Sequence, residues 1–379
     1  MKISVRAYRI IAKILLALVI LVVVAAVAFL GLQLSGKNRL YQKNGNGAPV
    51  LSEGLRSEKT SEEGSGNETL ESGELIAEEN AQEAASQEES NWQEGDVRYQ
   101  GIHYRYNSEI LTFLFLGIDK MEEVKEAKNG IDGGQSDAIF LLILNPKTKE
   151  ASVIGVNRDT MTDIDVYSKD GNFIGTTTGQ LTLQHGYGDG REQSCERSMK
   201  AVSSLFYNLP IHGYCAINMG AIPLINDAVG GVEITALENV KNEGRLLFKE
   251  GESVHLKGMN AYYYLKVRDT ESFESAGRRL ERQKQYLTAY AAAAMEAIKK
   301  DITLPVTLYS TLSKYMVTDI TIDEVSYLAT QAAGYSFKTE NMYSLEGETL
   351  MGEKFEEFYA DDKALYELIL KVFYEQVED

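Results

Sequence analysis

Asp119 follows an apolar run that ends in Leu116-Gly117-Ile118, and Asp137 closes Gly134-Gln135-Ser136-Asp137 just before the next apolar run. Two carboxylates at neighbouring strand ends suit a hard divalent cation: Mg²⁺ is commonly held by one or two carboxylates and fills its shell with substrate phosphates. A third strand end carries Asn157-Arg158-Asp159-Thr160. Further on, Lys266-Val267-Arg268 precedes Arg278-Arg279-Leu280-Glu281-Arg282-Gln283. Ten arginines follow residue 95, and four of them fall between 268 and 282, a concentration that an even spread would not give. Arg279 and Arg282, three apart in the first turns of a helix, share one face. Guanidinium groups there bind phosphate bidentately, and the helix dipole adds to the attraction. Singly, a strand-end Asp is a turn or cap residue and a row of arginines is a solvated basic face. Jointly they describe a Mg²⁺-pyrophosphate site.

What is missing narrows the chemistry further. The chain has no G-x-x-x-x-G-K-[ST], H-E-x-x-H, C-x-x-C or G-x-S-x-G, and Gly186-x-Gly188-x-Gly190 has the wrong spacing for a dinucleotide loop. Four scattered histidines and two cysteines, Cys195 and Cys215, exclude a zinc or serine hydrolase and a disulfide-stapled fold.

The elements that position these residues are short. Residues 110–116 and 138–144 are continuous apolar runs, as expected of strands covered on both faces. A third strand, 151–156, follows after Lys147-Thr148-Lys149-Glu150, so the second and third strands form a hairpin. Residues 194–207 have helical spacing with Met199, Val202, Leu205 and Phe206 on one face, 214–219 and 232–236 read as strands, and 280–299 as a long helix. Strands interleaved with helices predict an α/β fold, a three-layer α/β/α sandwich on a mixed central sheet. The tail, 301–379, shows no boundary and belongs to the same domain.

Ahead of this body the composition changes. Residues 1–13 carry Lys2, Arg6, Arg9 and Lys13, and Ile14 to Leu32 contains no charge. Such a run is long enough to cross about 30 Å of hydrocarbon. The small-residue triplet Ala26-Val27-Ala28 lies inside it, so we expect an uncleaved signal anchor over 14–34. The cytoplasmic tail is then 1–13, by the positive-inside rule. Residues 35–100 are rich in Ser, Gly, Asn and Glu, with 13 Glu in 51–95; this reads as a disordered acidic linker, with Trp92 docking on the body near its end. The domain itself is then 101–379, outside the cytoplasmic membrane. The whole chain carries −18 in net charge, which excludes a sequence-independent nucleic-acid binder.

The chain resembles the LytR-CpsA-Psr cell-wall ligases. The resemblance rests on Leu116-Gly117-Ile118-Asp119, Ser136-Asp137, Asn145-Pro146-Lys147-Thr148, Arg158-Asp159-Thr160 and Tyr187-Gly188-Asp189-Gly190. It continues through Pro210-Ile211, Asp227 to Glu233, Tyr264 to Asp269, and Arg279-x-x-Arg282-Gln283. Each piece is common; nine in the family's order after one apolar run are specific. The resemblance implies a Gram-positive, membrane-anchored phosphotransferase. Such an enzyme moves a glycopolymer (teichoic acid, capsule or another wall polysaccharide) from polyprenyl pyrophosphate to a hydroxyl of N-acetylmuramic acid in peptidoglycan. It further implies that Asp119 and Asp137 hold Mg²⁺, with Mn²⁺ as an alternative. Arg158, Lys266, Arg268, Arg279, Arg282 and Gln283 would bind the pyrophosphate, and Arg158, Asp137 and Asp159 would be catalytic. The prenyl chain would lie in an apolar channel between sheet and helices, for which 138–144 and 222–232 are candidates. The chain departs from the family pattern in places: Gln135 and Asn157 stand where Arg and Pro are frequent, Lys266 replaces an Arg, and Gln180-Leu181-Thr182-Leu183-Gln184-His185 stands where a Lys-Ile-Asn motif is usual. Two rival readings therefore stay open, a non-catalytic binder of the same lipid and a pyrophosphatase acting on it.

Overall fold

The computed structural model describes residues 30–43, 47–51, 91–269, 271–301, 303–332 and 334–377. The apolar runs of the sequence form the middle of a six-stranded mixed sheet. Its strands are β1 (Leu111–Ile118), β2 (Ser136–Asn145), β3 (Glu150–Val156), β6 (Gly213–Asn218), β7 (Met316–Thr318) and β8 (Ser336–Ser344). Their order across the sheet is β7-β6-β1-β2-β3-β8. Strands β1, β2 and β3 run antiparallel in sequence, whereas β6 lies parallel to β1 and β8 parallel to β3. The expected hairpin is therefore present, and residues from the tail, 316–318 and 336–344, form the two edge strands of the sheet.

Alternation along the central strands sorts side chains onto two faces. Leu114, Leu116, Ile118, Ile139, Leu141, Ile143 and Ile154 pack against helix α1 (Glu192–Leu205) and helix α6 (Asp362–Phe373). On the opposite face, Phe140 and Val153 meet Leu280 of the long helix α3 (Ser275–Lys300), while Leu111 and Phe113 are backed by Val325 and Leu328 of α5 (Ile322–Ala332). Helix layers on both faces of one sheet make the three-layer arrangement. The segment 232–236 is a strand but lies outside this sheet; Val232–Thr235 pairs with Ser253–Leu256 in a small sheet of its own.

An apolar cavity of about 710 Å³ lies between the second face and helices α3, α4 (Leu304–Leu312) and α5. Phe113, Phe115, Leu142 and Leu144 line it from the sheet, and Leu287 to Ile298 from α3. Of residues 138–144, Leu142 and Leu144 line this cavity, and residues 222–232 do not. Cys195 and Cys215 are both buried and free.

The stretch expected as linker is partly built into the body. Residues 30–42 are helical and run antiparallel to α5. Gln33 Nε2 donates to Ser326 O at 3.0 Å, Ser35 Oγ to Asp323 Oδ2 at 2.9 Å, and Lys43 Nζ to the fully buried Glu324 at 3.2 Å. A Cβ on Gly36 would sit 2.2 Å from Asp323 O, so only glycine permits this approach. Leu40 is fully buried beside Leu111, Phe113 and Ile320. Leu51 is fully buried too, and Tyr366 Oη donates to its carbonyl at 3.2 Å. Trp92 stacks on His103 with ring centroids 4.7 Å apart, and Val97–Tyr99 pairs with Ile102–Tyr106. Averaged composition hides a single Leu40 or Leu51 among polar residues. The expected anchor, 14–34, lies outside the described residues up to residue 29, and no helix of the described residues is long and apolar enough to cross a membrane.

Leu40→Ala should lower unfolding free energy by about 2–4 kcal/mol in urea titrations of the chain. Leu34→Ala, whose side chain is 63% exposed, should change it by less than about 0.5 kcal/mol. Equal effects would mean that docking of 30–43 adds nothing to stability.

Candidate active site

The end of the sheet where β1 stops and β2 starts brings the sequence-predicted residues together. Ile118 pairs with Ser136 across a register shift, which sets Asp119 and Asp137 at adjacent strand ends. After β3 the chain turns sharply: Asn157 Oδ1 accepts from Asp159 N at 3.0 Å, and Asn157 O accepts from Thr160 N at 3.0 Å and from Thr160 Oγ1 at 2.6 Å. Asn157 thus closes an Asx-type turn that projects Arg158. On the third side, helix α2 (Met259–Lys266) ends in an extended Val267, and the alternation of extended backbone aims Lys266 and Arg268 the same way. Helix α3 then delivers Arg279.

Asp119, Asp137, Arg158, Lys266, Arg268 and Arg279 all line one cleft of about 420 Å³. Its centre is the carboxylate of Asp137, which is buried. Arg158 Nη1 pairs with Oδ1, and Arg279 Nη1 donates to Oδ2 at 3.0 Å. Arg279 also reaches the Asp137 carbonyl at 3.3 Å. Burial pushes the Arg279 guanidinium down to about 10, against the pull of Asp137, so it stays cationic at neutral pH. At the rim, Lys266 Nζ pairs with Asp119. Burial alone would lower the Lys266 ammonium, but its bond to Asp119 outweighs this and leaves it raised. Arg268 Nη1 donates to Ser275 Oγ at 2.9 Å.

Three of the expected residues lie behind this surface. Asp159 is buried, with Oδ1 3.2 Å from Arg158 Nε and accepting from Gln180 Nε2 at 3.1 Å. Burial raises its carboxyl, while Arg158, Arg268 and Arg279 pull it down. Arg282 is almost fully buried: its Nη1 donates to Tyr264 O, and its Nε lies 2.8 Å from Glu238 Oε1. Gln283 Nε2 donates to Leu265 O at 3.2 Å. Arg282 and Gln283 therefore brace the C-terminal carbonyls of α2 and do not line the cleft. They fix the backbone from which Lys266 and Arg268 project.

The cleft also includes Asn242, Tyr262 and Tyr263, which reading the sequence missed. Tyr262 stands four residues before Lys266 and so shares its helix face, a signal available in the spacing. Asn242 comes from a separate two-stranded hairpin, Val240–Asn242 with Arg245–Phe248, and had none.

The description of the LytR_cpsA_psr family matches residues 71–369. The chain belongs to that family. Among its relatives, the polyisoprenyl-teichoic acid–peptidoglycan teichoic acid transferase TagU of Oceanobacillus iheyensis is 28% identical over 263 residues, covering 67% of this chain and 73% of that protein. TagU of Bacillus cereus is 29% identical over 208 residues, covering 55% of this chain and 56% of that protein; the match spans little more than half the length of that relative. The crystal structure of Bacillus subtilis TagV superposes with a TM-score of 0.52 at 21% identity, covering 69% of this chain and 94% of that one, which supports the fold. The matched segment, 71–369, contains every residue that lines the cleft.

Two buried histidines make the fold sensitive to acid. His185 Nδ1 donates to Gly134 O at 3.0 Å, and His212 Nδ1 accepts from Thr112 N at 3.1 Å. Burial first of all pushes both imidazoles down to about 4. Their folded values lie below the unfolded one, so each stabilises the fold fully above about pH 6.5. That contribution, roughly 3 kcal/mol per group, is lost as pH falls from 6.5 towards 4. Asp159, raised by burial, offsets part of the loss over the acid range. Urea unfolding should show marked destabilisation from pH 7 to pH 5, and His185→Gln should flatten it; an unchanged slope in the variant would remove His185 as a cause.

Proposed function

We propose that the chain is a membrane-anchored phosphotransferase that moves a glycopolymer from polyprenyl pyrophosphate to a hydroxyl of peptidoglycan. One observation carries this reading: a cationic cleft and an apolar cavity are served by the same helix. Arg279 stands near the start of α3 in the cleft, and Leu287 to Ile298 line the cavity further along it. At 1.5 Å per residue those positions lie about 12–28 Å from Arg279 along the axis, a span suited to an anionic headgroup with a long isoprenoid tail. Leu280, next to Arg279 in sequence, packs with Phe140 over Gly155, where an added Cβ would meet them at 3.1 and 3.2 Å. The names of the TagU relatives describe that donor, a polyisoprenyl-linked teichoic acid, and that acceptor.

The reaction would be phosphoryl transfer by positioning and charge neutralisation. The acceptor hydroxyl oxygen bonds to the glycan-side phosphorus, the phosphoanhydride bond breaks, polyprenyl monophosphate leaves, and the hydroxyl proton passes to water. Arg158, Arg268, Arg279 and Lys266 neutralise phosphate oxygens. Asp137 orients the first and third of these, Asp159 orients Arg158, and Arg282 with Gln283 holds the backbone of Lys266 and Arg268. Asp119 and Asp137 would offer Mg²⁺ two hard oxygen donors on one cleft, in exchange for part of their pairing with Lys266, Arg158 and Arg279. Substrate phosphates complete such a shell. When bound, the cation would add charge neutralisation at the pyrophosphate. The apolar run Ile14–Leu32 would hold the chain in the cell membrane with the body outside.

The purified full chain in detergent, with Mg²⁺, a short polyprenyl-pyrophosphate glycan and peptidoglycan oligomers, should yield a glycan–phosphate adduct on muramic acid by mass spectrometry. Arg158→Ala should lower the rate by about 10²–10³-fold and, because it takes one of two guanidinium partners from the buried Asp137, lower the melting temperature as well, with a native far-UV circular dichroism spectrum showing that the variant folds. Full activity in Arg158→Ala would overturn the mechanism. Glycan phosphate without an adduct would replace the transferase by a pyrophosphatase, and lipid binding without turnover would replace it by a scaffold.

A further inference from the structure

On the far side of Gln135 from the cationic cleft lies a second opening of about 660 Å³, lined by Ile131, Asp132, Gln135, Tyr167, Lys169 and Tyr187 among others. Gln135 joins the two, since its Oε1 accepts from Arg158 Nη2 at 2.6 Å. The hairpin of β4 (Met161–Tyr167) and β5 (Phe173–Gln180) forms one wall, and the loop before β2 forms the other.

These walls are fixed before any ligand arrives. Gly130 N donates to Lys169 O at 2.8 Å, and a Cβ on Gly130 would lie 2.7 Å from Gly171 Cα. Gly133 N donates to Gly186 O at 3.0 Å, and His185 ties Gly134 from below. Arg197 holds the two tyrosines in place: its guanidinium carbon lies 3.3 Å from the Tyr167 ring centroid, and its Nη1 donates to Tyr187 O at 2.7 Å. Phe173 packs edge-on to Tyr167 at 5.5 Å and is itself 58% exposed.

The lining selects a ligand class. A phosphate would find one lysine opposed by Asp132, a poor match in charge. An isoprenoid chain would strip water from Asp132, Lys169 and Gln135 without replacing their hydrogen bonds. A pyranose satisfies both halves: its C–H face covers an aromatic ring, and its hydroxyl or acetamido groups meet a carboxylate, an ammonium and an amide. We propose that this cleft binds an oligosaccharide and that Gln135 marks where the sugar chain meets the phosphate held by Arg158. The existence of the sugar site stands on its own lining. Which sugar enters, the donor glycan or the peptidoglycan acceptor, rests on the transferase reading.

The test titrates the full chain in detergent, by calorimetry, with a soluble N-acetylglucosamine–N-acetylmuramic acid oligosaccharide and, separately, with the glycan released from the donor. At least one should bind. Tyr167→Ala should weaken it about tenfold, Tyr167→Phe should restore it, and the exposed Phe173→Ala should weaken it severalfold; melting temperatures report whether each variant folds. In turnover, the same variants should raise KM for that one substrate with little change in kcat, which identifies the source of the sugar. Binding is read without turnover, so a failed transferase reading, with Arg158→Ala fully active, would leave this result intact. If neither oligosaccharide binds, or if Tyr167→Ala and Phe173→Ala bind as tightly as the parent chain, the cleft is not a sugar site.

Discussion

The carboxylate of Asp137, buried between two guanidinium groups, is the constraint on which the site depends. Arg158 comes from the turn after β3 and Arg279 from α3, so one side chain joins a strand, a turn and a helix that are far apart in sequence. The physics is demanding in both directions. Two cations brought together away from water repel and lose hydration, and a lone buried carboxylate would do no better. The three groups are tolerable only as a set, and a set so arranged presents positive charge to the cleft in a fixed geometry. A substrate phosphate approaching it would meet groups already oriented, with little reorganisation left to make.

Behind that surface, polar side chains hold backbone and do not face a ligand. Arg282 and Gln283 bind the carbonyls at the end of α2, Gln180 joins Asp159 to Glu356 O at 2.7 Å, and Phe358 N donates to Asp159 O at 2.9 Å. Helix α3 serves three purposes at once. Its first turns carry Arg279 and Arg282, Leu280 seals the apolar face of the sheet, and its alanine-rich half lines the cavity. Small side chains there leave room beside the sheet that larger residues would fill.

Much of this was legible in the sequence, for identifiable reasons. Continuous apolar runs such as Leu111 to Leu116 mark strands covered on both sides, and a four-residue polar gap marked the hairpin. Asp119, Asp137, Arg158 and Arg279 sat at the ends of such elements, where side chains emerge from a sheet into a shared opening. Periodicity gives direction around a helix but not depth, so Arg282 looked equivalent to Arg279 although it turns inward to carbonyl oxygens. Long-range assembly left no local trace either: Asn242 enters the cleft from a separate hairpin, and the cavity is closed by α3 to α5, not by residues 222–232. At 157, the hydrogen bonds of Asn157 close the turn that presents Arg158.

The docked N-terminal segment changes what the acidic stretch can be. The chain is fastened to the body through Leu40 and again at Leu51, and it is fastened once more at Trp92. Residues 52–90 therefore join two points that are both held on the body, Leu51 and Trp92. Their length does not enter the distance from Leu32 to the cationic cleft; one short helix lying along α5 sets that distance. Insertions or deletions between residues 52 and 90 would change the net charge of the chain at small entropic cost, while the placement of residues 30–43 along α5 would stay as it is.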